Sequence, residues 1–347
     1  MTDQELSDEA AQLPIDAGAL SRYLEGRIAG VSGEISARQF AGGQSNPTYL
    51  ISAGDVQLVL RKQPPGRLLP SAHAVDRECR IFEALADTDV PVPRTHLFCN
   101  DRDVIGTPFL VMDYVPGRIF WDPALPEVAT PEERAAIYNE MNRVLAALHN
   151  VDYAAVGLAD YGKPGNYFGR QVARWTRQYQ AAETDPIPAM DHLMEWLPKH
   201  LPTDEATALV HGDFRLDNMI FHETEPRVLA VLDWELSTLG HPLADLAYNC
   251  MPYHFVSRGS ALLKDVAGPQ SGIPTEERYV TDYCQRTGRS NIPEFAFYLA
   301  FSLFRFASIV QGVYHRGLQG NASSGDQASL YHERAVAAAD TAWSLIE

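Results

Sequence analysis

The stretch His211-Gly212-Asp213-Phe214-Arg215-Leu216-Asp217-Asn218 runs directly into the apolar triplet Met219-Ile220-Phe221. A second piece follows, in which Leu229-Ala230-Val231-Leu232 ends at Asp233-Trp234-Glu235. An Asp and an Asn on one loop that leads into a strand can face one small volume. Asp233, at the end of a buried strand, is a hard oxygen ligand suited to Mg²⁺. Transfer of a phosphoryl group to an alcohol asks for just such a set: a carboxylate beside the attacking hydroxyl, oxygen ligands for the metal, and positive charge on the phosphates. In that chemistry Asp213 accepts the hydroxyl proton and Asn218 gives a side-chain oxygen to the metal. Arg215 meets negative charge on the transferring group. A lone His-Gly-Asp is more often a turn, and an Asn after an Asp is often a backbone cap. Only the combination carries the chemistry: HGD-x4-N, then an apolar strand ending in Asp-x-Glu.

Outward from this segment the chain changes character. Asp16 to Ile28 has helical spacing, with Leu20, Tyr23, Leu24 and Ile28 on one side. Glu34 to Phe40, Thr48 to Ser52 and Val56 to Lys62 read as a three-strand meander. Its first turn is Ala41-Gly42-Gly43-Gln44-Ser45-Asn46-Pro47. Ala72 to Ala86 reads as a helix with a stripe of Val75, Cys79, Phe82 and Leu85, and strands follow around Thr95 to Cys99 and Phe109 to Asp113. Tyr114-Val115-Pro116-Gly117 is turn chemistry and reads as a hinge. Helical spacing dominates thereafter, over Pro131 to His149, Phe168 to Ala182, Met190 to Leu197, Pro242 to Asn249, Glu276 to Thr287, Glu294 to Tyr314 and Gln327 to Ile346. A strand-rich patch, Ala208 to Leu232, interrupts them. The expectation is an α+β chain: a loose tail over 1–14, a small antiparallel sheet lobe over 15–113, a hinge over 114–118 and a larger, mainly helical lobe over 119–347.

The bulk properties agree with two cores, since 347 residues exceed what one core usually holds. The net charge of −17 repels a phosphate backbone and argues against a nucleic-acid partner. A nucleotide site therefore needs a local positive patch. The four cysteines, Cys79, Cys99, Cys250 and Cys284, form no C-x-x-C pair and read as buried free thiols of a reducing compartment. The acidic start lacks a signal pattern. The most apolar stretch, Tyr298 to Val313, contains Arg305 and is short for a bilayer. A cytoplasmic protein without a membrane partner is expected.

The segment Leu209 to Asn249 resembles the catalytic segment of the aminoglycoside phosphotransferase / choline kinase superfamily, where HGD-x4-N stands in for the protein-kinase HRD-x4-N. Leu58-Val59-Leu60-Arg61-Lys62-Gln63-Pro64-Pro65-Gly66, Ser71-Ala72-His73-Ala74-Val75-Asp76-Arg77-Glu78 and the run from Phe304-Arg305-Phe306 to Gln311-Gly312-Val313-Tyr314 resemble one branch of it. That branch is the kinase-like domain fused in some organisms to an acyl-CoA dehydrogenase. With the sequence ending at Glu347, a stand-alone kinase-like domain is expected. The resemblance implies a bilobal protein-kinase-like fold with ATP and Mg²⁺ as cofactors. It also implies roles: Asp213 as catalytic base, Asn218 and Asp233 as metal ligands, and Gly42, Gly43, Ser45 and Asn46 as the phosphate-side loop. Glu78 would pair with the basic residue of the third strand. Adenine would lie against backbone near Asp113 and Val115, and Asp245 would anchor the catalytic loop.

Two neighbours compete for the basic position, Arg61 and Lys62. Alternation puts Gln57, Val59 and Arg61 on one face and Leu58, Leu60 and Lys62 on the other. If Val59 lines the nucleotide pocket, Arg61 points at the phosphates, a task its guanidinium fork performs well. Lys62 is then expected at the surface. Gly42-Gly43 alone reads equally as a hairpin turn, and Glu78 as part of a solvated helix face. His211 is expected to orient its loop. His149, His192 and His241 are expected at the surface or as caps. The acceptor is a small molecule with a hydroxyl. The branch resemblance implies a hydroxylated acyl chain on coenzyme A and a functional link to acyl-CoA metabolism. A cationic acceptor, or a pseudokinase that only binds nucleotide, are the alternatives.

Overall fold

The computed structural model describes residues 15–40, 46–64, 75–256, 261–319 and 328–347. In chain order these form α1 (Ala17–Leu24), β1 (Ser36–Gln39), β2 (Thr48–Ala53), β3 (Val56–Lys62), α2 (Val75–Leu85), β4 (Thr95–Cys99), α3 (Arg102–Ile105) and β5 (Phe109–Asp113). Then come α4 (Pro131–His149), α5 (Tyr167–Ala182), α6 (Pro188–Trp196), β6 (Ala208–Val210), β7 (Met219–Phe221), β8 (Val228–Val231) and β9 (Thr238–Gly240). The chain closes with α7 (Pro242–Cys250), α8 (Leu263–Val266), α9 (Glu276–Thr287), α10 (Phe295–Leu318) and α11 (Ala328–Ser344). It divides into two compact units.

The first unit runs to Phe120 and takes in Val156–Leu158 and Asp217–Leu236. Its sheet has the order β1-β2-β3-β5-β4, antiparallel throughout the described residues. One face carries Tyr49, Ile51, Leu58, Leu60, Phe109 and Val111, and these pack with Leu20 and Leu24 of α1. The helix α2 contacts β4 and β5. Both faces of β3 are therefore covered, and Leu58, Val59 and Leu60 are buried in succession. The hairpin β7–β8 belongs to the same unit. Arg118 joins it through a reciprocal pair of 2.8 Å backbone hydrogen bonds with Phe221. Gly117 makes this approach feasible, because a Cβ there would lie 2.2 Å from the Phe221 carbonyl oxygen.

The second unit holds the other helices. α4 starts with a Thr130 cap, whose hydroxyl accepts the Glu133 N–H, and with Pro131 in the first turn. α10 packs against α5, α7 and α11. Its Phe297, Tyr298 and Phe301 surround Phe168 of α5 with ring centroids 5.0–5.4 Å apart. The apolar stretch noted in the sequence thus belongs to a 24-residue helix, long enough to cross a membrane by length and composition. Shortness was the wrong ground for setting that aside; 72% of its most apolar window is buried inside the protein. The short strand β9 pairs with β6 and escaped the sequence reading, since Thr-Leu-Gly carries almost no strand signal.

His241 starts α7. Its Nδ1 accepts the Leu243 N–H at 3.3 Å, while Nε2 lies 3.5 Å from Asp204 without the alignment of a hydrogen bond. The residue is a cap, as expected, but a buried one. Burial pushes its imidazole down to about 4, against the pull of Asp204. A base whose folded pKa is depressed contributes stability above its unfolded value near 6.5 and loses it as the pH falls towards 4. Chemical unfolding at pH 7.5 and pH 5 should therefore show a drop roughly 2 kcal/mol larger in wild type than in His241→Asn, which keeps a capping side chain.

Candidate active site

Within the first unit, register brings the metal-ligand candidates together. Met219 pairs with Val231 across β7–β8, and the Leu232 N–H bonds to the Asn218 carbonyl at 2.8 Å. Asn218 and Asp233 therefore stand at one end of the hairpin. Asp233 has φ +63°, a left-handed conformation that Asp tolerates better than most residues. Its Oδ1 lies 2.9 Å from Arg61 Nη2. Arg61 also places Nε 2.8 Å from Glu78 Oε2, at an angle that makes the contact an ion pair rather than a hydrogen bond. Glu78 is thus no part of a solvated face: its side chain is 3% exposed. Burial raises its carboxyl to about 7, with Asp233 and Glu235 adding to the effect and Arg61 opposing it.

Of the two basic neighbours, Arg61 is the one that faces Glu78 and Asp233. The companion expectation for Lys62 is corrected. Lys62 is buried, not at the surface, with Nζ 5.8 Å from the centre of the Tyr49 ring and its pKa lowered by desolvation. Its face of β3 is the one that α1 covers. Of the expected phosphate-side loop, Gly42, Gly43 and Ser45 lie outside the described residues. Asn46 is buried, and its Oδ1 has no hydrogen-bond partner among them. Asp113 ends β5; its N–H bonds to the Arg94 carbonyl and its carboxylate meets His96 Nε2 at 2.6 Å. Val115, two residues on, is only part-buried.

Among the described residues no group of three His, Cys, Asp or Glu side chains is placed to hold a metal. One Asp and one Asn remain a fitting pair for Mg²⁺, which binds through one or two protein oxygens and completes its octahedron with phosphates and water. The strained Asp233 backbone and the common hairpin end are the features that fit.

Within the second unit, the loop holding Asp213 is hung from one carboxylate. Asp245 accepts the N–H of His211 at 2.6 Å on Oδ2 and that of Gly212 at 2.8 Å on Oδ1. Gly212 takes φ +85°, which a side chain would resist. His211 turns back on the loop, its Nδ1 accepting the Asp213 N–H at 3.2 Å. His149 is neither surface nor cap: its side chain is 2% exposed, 2.7 Å from the Tyr283 hydroxyl and 3.4 Å from Asp245. Burial alone would raise the Asp213 carboxyl. Arg215, the Tyr248 hydroxyl, His211 and Arg305 outweigh it and hold the group below the usual carboxylate range. Arg215 Nε is 3.3 Å from Asp213 Oδ1.

The sequence reading missed Tyr248. Its signal was present, because Asp245, Tyr248 and Asn249 are polar at helical i, i+3, i+4 spacing in an otherwise apolar helix. All three serve one loop: Asn249 Nδ2 donates to the Phe214 carbonyl at 3.2 Å.

The chain matches the model of a phosphotransferase enzyme family, APH, over residues 36–281. Among curated proteins it is 53% identical over 315 residues to mouse acyl-CoA dehydrogenase family member 10, covering 90% of this chain and 29% of that protein. It is 44% identical over 330 residues to human acyl-CoA dehydrogenase family member 11, covering 93% and 42%. The chain thus spans less than half the length of these relatives. Among solved structures, an assigned aminoglycoside phosphotransferase from Ralstonia eutropha JMP134 aligns with TM-score 0.86 at 49% identity, covering 95% of this chain and 98% of the other. Aminoglycoside phosphotransferase APH(4)-Ia, in a ternary complex with AMP-PNP and hygromycin B, aligns with TM-score 0.60 at 18% identity over 94% and 99%, a likeness of fold.

Replacing Asp245 with Ala strands two buried N–H donors. Thermal or urea unfolding should show a loss of roughly 2–6 kcal/mol, from about 1–3 for each donor.

Proposed function

Because this chain belongs to the APH phosphotransferase enzyme family, we propose that it transfers the γ-phosphoryl group of ATP, with Mg²⁺, to the hydroxyl of a small molecule, possessing for this the base Asp213. The single observation that carries the reading is the state of that carboxylate. Its side chain is half-buried at 18% exposure, with Arg215 Nε 3.3 Å away, and Arg215, the Tyr248 hydroxyl, His211 and Arg305 hold the carboxyl below the usual carboxylate range. An ionised carboxylate can align an alcohol and take its proton as the oxygen bonds to phosphorus. The bond from the γ-phosphorus to the bridging oxygen breaks, and ADP leaves. Asn218 and Asp233 would hold Mg²⁺, which when bound offsets charge on the phosphates. Arg61, kept in place by Glu78 and Asp233, is the cation for those phosphates. Asn46 would belong to the phosphate side and the backbone near Asp113 and Val115 to the adenine side. Arg215 would turn from Asp213 to the transferring group.

For the acceptor we favour a hydroxyacyl-CoA. The relatives that share this region carry the name acyl-CoA dehydrogenase. The side chains that lower the Asp213 pKa include the guanidinium groups of Arg215 and Arg305, a setting that repels a cationic acceptor. The free, buried state of Cys79, Cys99, Cys250 and Cys284 supports a cytoplasmic setting.

ADP formation from Mg·ATP should depend on the acceptor and be strongest with hydroxyacyl-CoA esters in a panel that includes free hydroxy acids, choline, ethanolamine and aminoglycosides. Asp213→Asn should bind Mg·ATP within about threefold of wild type and turn over at least about 10²-fold more slowly, the low end for a general base. Near-normal turnover in that variant sinks the assignment. Asp233→Ala should lose the Mg²⁺-dependent part of nucleotide affinity, measured by calorimetry with and without the metal.

A further inference from the structure

α10 is an apolar helix, and Arg305 sits in the middle of it with only 6% of its surface exposed. A guanidinium is never neutral in a protein, so burying one without an anion is costly. Among the described residues Arg305 has no hydrogen-bond or ion-pair partner. Its close contacts are two rings: its Cζ lies 5.6 Å from the centre of Trp175 on α5 and 5.5 Å from that of Tyr248 on α7. Cation–π attraction offsets part of the desolvation. It leaves the N–H donors of the fork unused.

The surroundings put those donors near the base. The Tyr248 ring that flanks Arg305 carries the hydroxyl bonded to Asp213. Arg174 lies over the other face partner, Trp175, at 5.4 Å. The unpaired cation thus stands one aromatic ring away from the base, in a locally positive part of a very acidic protein. All these residues belong to the second unit. Arg215 and Tyr248 contact Asp213, whereas Arg305 lowers the pKa of that carboxyl without touching it.

We propose that Arg305 is a specificity-determining residue that binds an acyl oxygen of the acceptor, a carboxylate or a thioester carbonyl, and so sets how far from that group a hydroxyl must lie to reach Asp213. The inference rests on the kinase reading. Arg suits the task because its planar fork donates two parallel hydrogen bonds to such a group, and two neighbouring rings already restrict the side chain.

The test compares three acceptors of equal chain length: a hydroxy acid, its CoA thioester, and the diol that lacks the acyl oxygen. Wild type, Arg305→Met and Arg305→Lys are assayed for KM and kcat, and melted. Arg305→Met keeps the volume and removes an unpaired charge, so it should melt no lower than wild type. It should raise the KM of the acyl acceptor at least tenfold and change the KM of ATP and of the diol less than twofold, with any fall in kcat, from the charge lost near Asp213, common to all three acceptors. Arg305→Lys should recover part of the loss. Whichever of the acid and the thioester loses more identifies the oxygen. An equal rise in KM for diol and acyl acceptors, an acyl-acceptor KM within twofold of wild type, or a melting point more than about ten degrees lower would overturn the proposal. Turnover of none of the three by wild type removes it together with the function it rests on.

Discussion

One carboxylate organises the catalytic loop. Asp245 spends both oxygens on the consecutive N–H groups of His211 and Gly212, and it can do so because α7 holds it buried beneath them. Two short charge-assisted bonds to adjacent amides fix the peptide plane between them as well as its position. With that plane fixed and Gly212 at positive φ, the direction of Asp213 is set before any ligand arrives. The same helix supplies Tyr248 to the Asp213 carboxylate and Asn249 to the Phe214 carbonyl. His241 caps that helix, and His149 contacts the anchoring carboxylate from α4. Preorganisation of this kind is worth most where charge moves, because the cost of orienting the groups is met during folding rather than during reaction.

The first unit applies the same economy to positive charge. Arg61 is shared between Glu78 and Asp233, so one guanidinium aligns two carboxylates of unlike surroundings. Glu78 is buried and its carboxyl raised, whereas the Asp233 side chain is 37% exposed. Asp233 also carries a backbone conformation that costs of order 1–3 kcal/mol and that the β7–β8 pairing holds in place.

Much of this was legible in the sequence because several signals coincide at the same residues. The limits of β4, β5 and α4 follow from β-branched and aromatic runs bounded by turn residues, and from a Thr-Pro start. HGD-x4-N singled out the loop whose amides Asp245 holds, because each residue type in it is distinctive. What stayed hidden depends on tertiary coverage. Alternation told which face of β3 Lys62 takes but not that α1 covers that face. His149 looked like a helix-end histidine until α9 brought Tyr283 to it. Tyr248 was passed over as one more aromatic in an apolar helix, and only the direction of α7 gives its hydroxyl a carboxylate to meet.

The most direct measurement is the product itself. After incubation with Mg·ATP and a hydroxyacyl-CoA, ³¹P NMR should show a new phosphate monoester resonance and mass spectrometry an acceptor heavier by one phosphoryl group, formed in step with ADP. ADP accompanied only by inorganic phosphate, with every acceptor of the panel recovered unchanged, would contradict phosphoryl transfer to a hydroxyl.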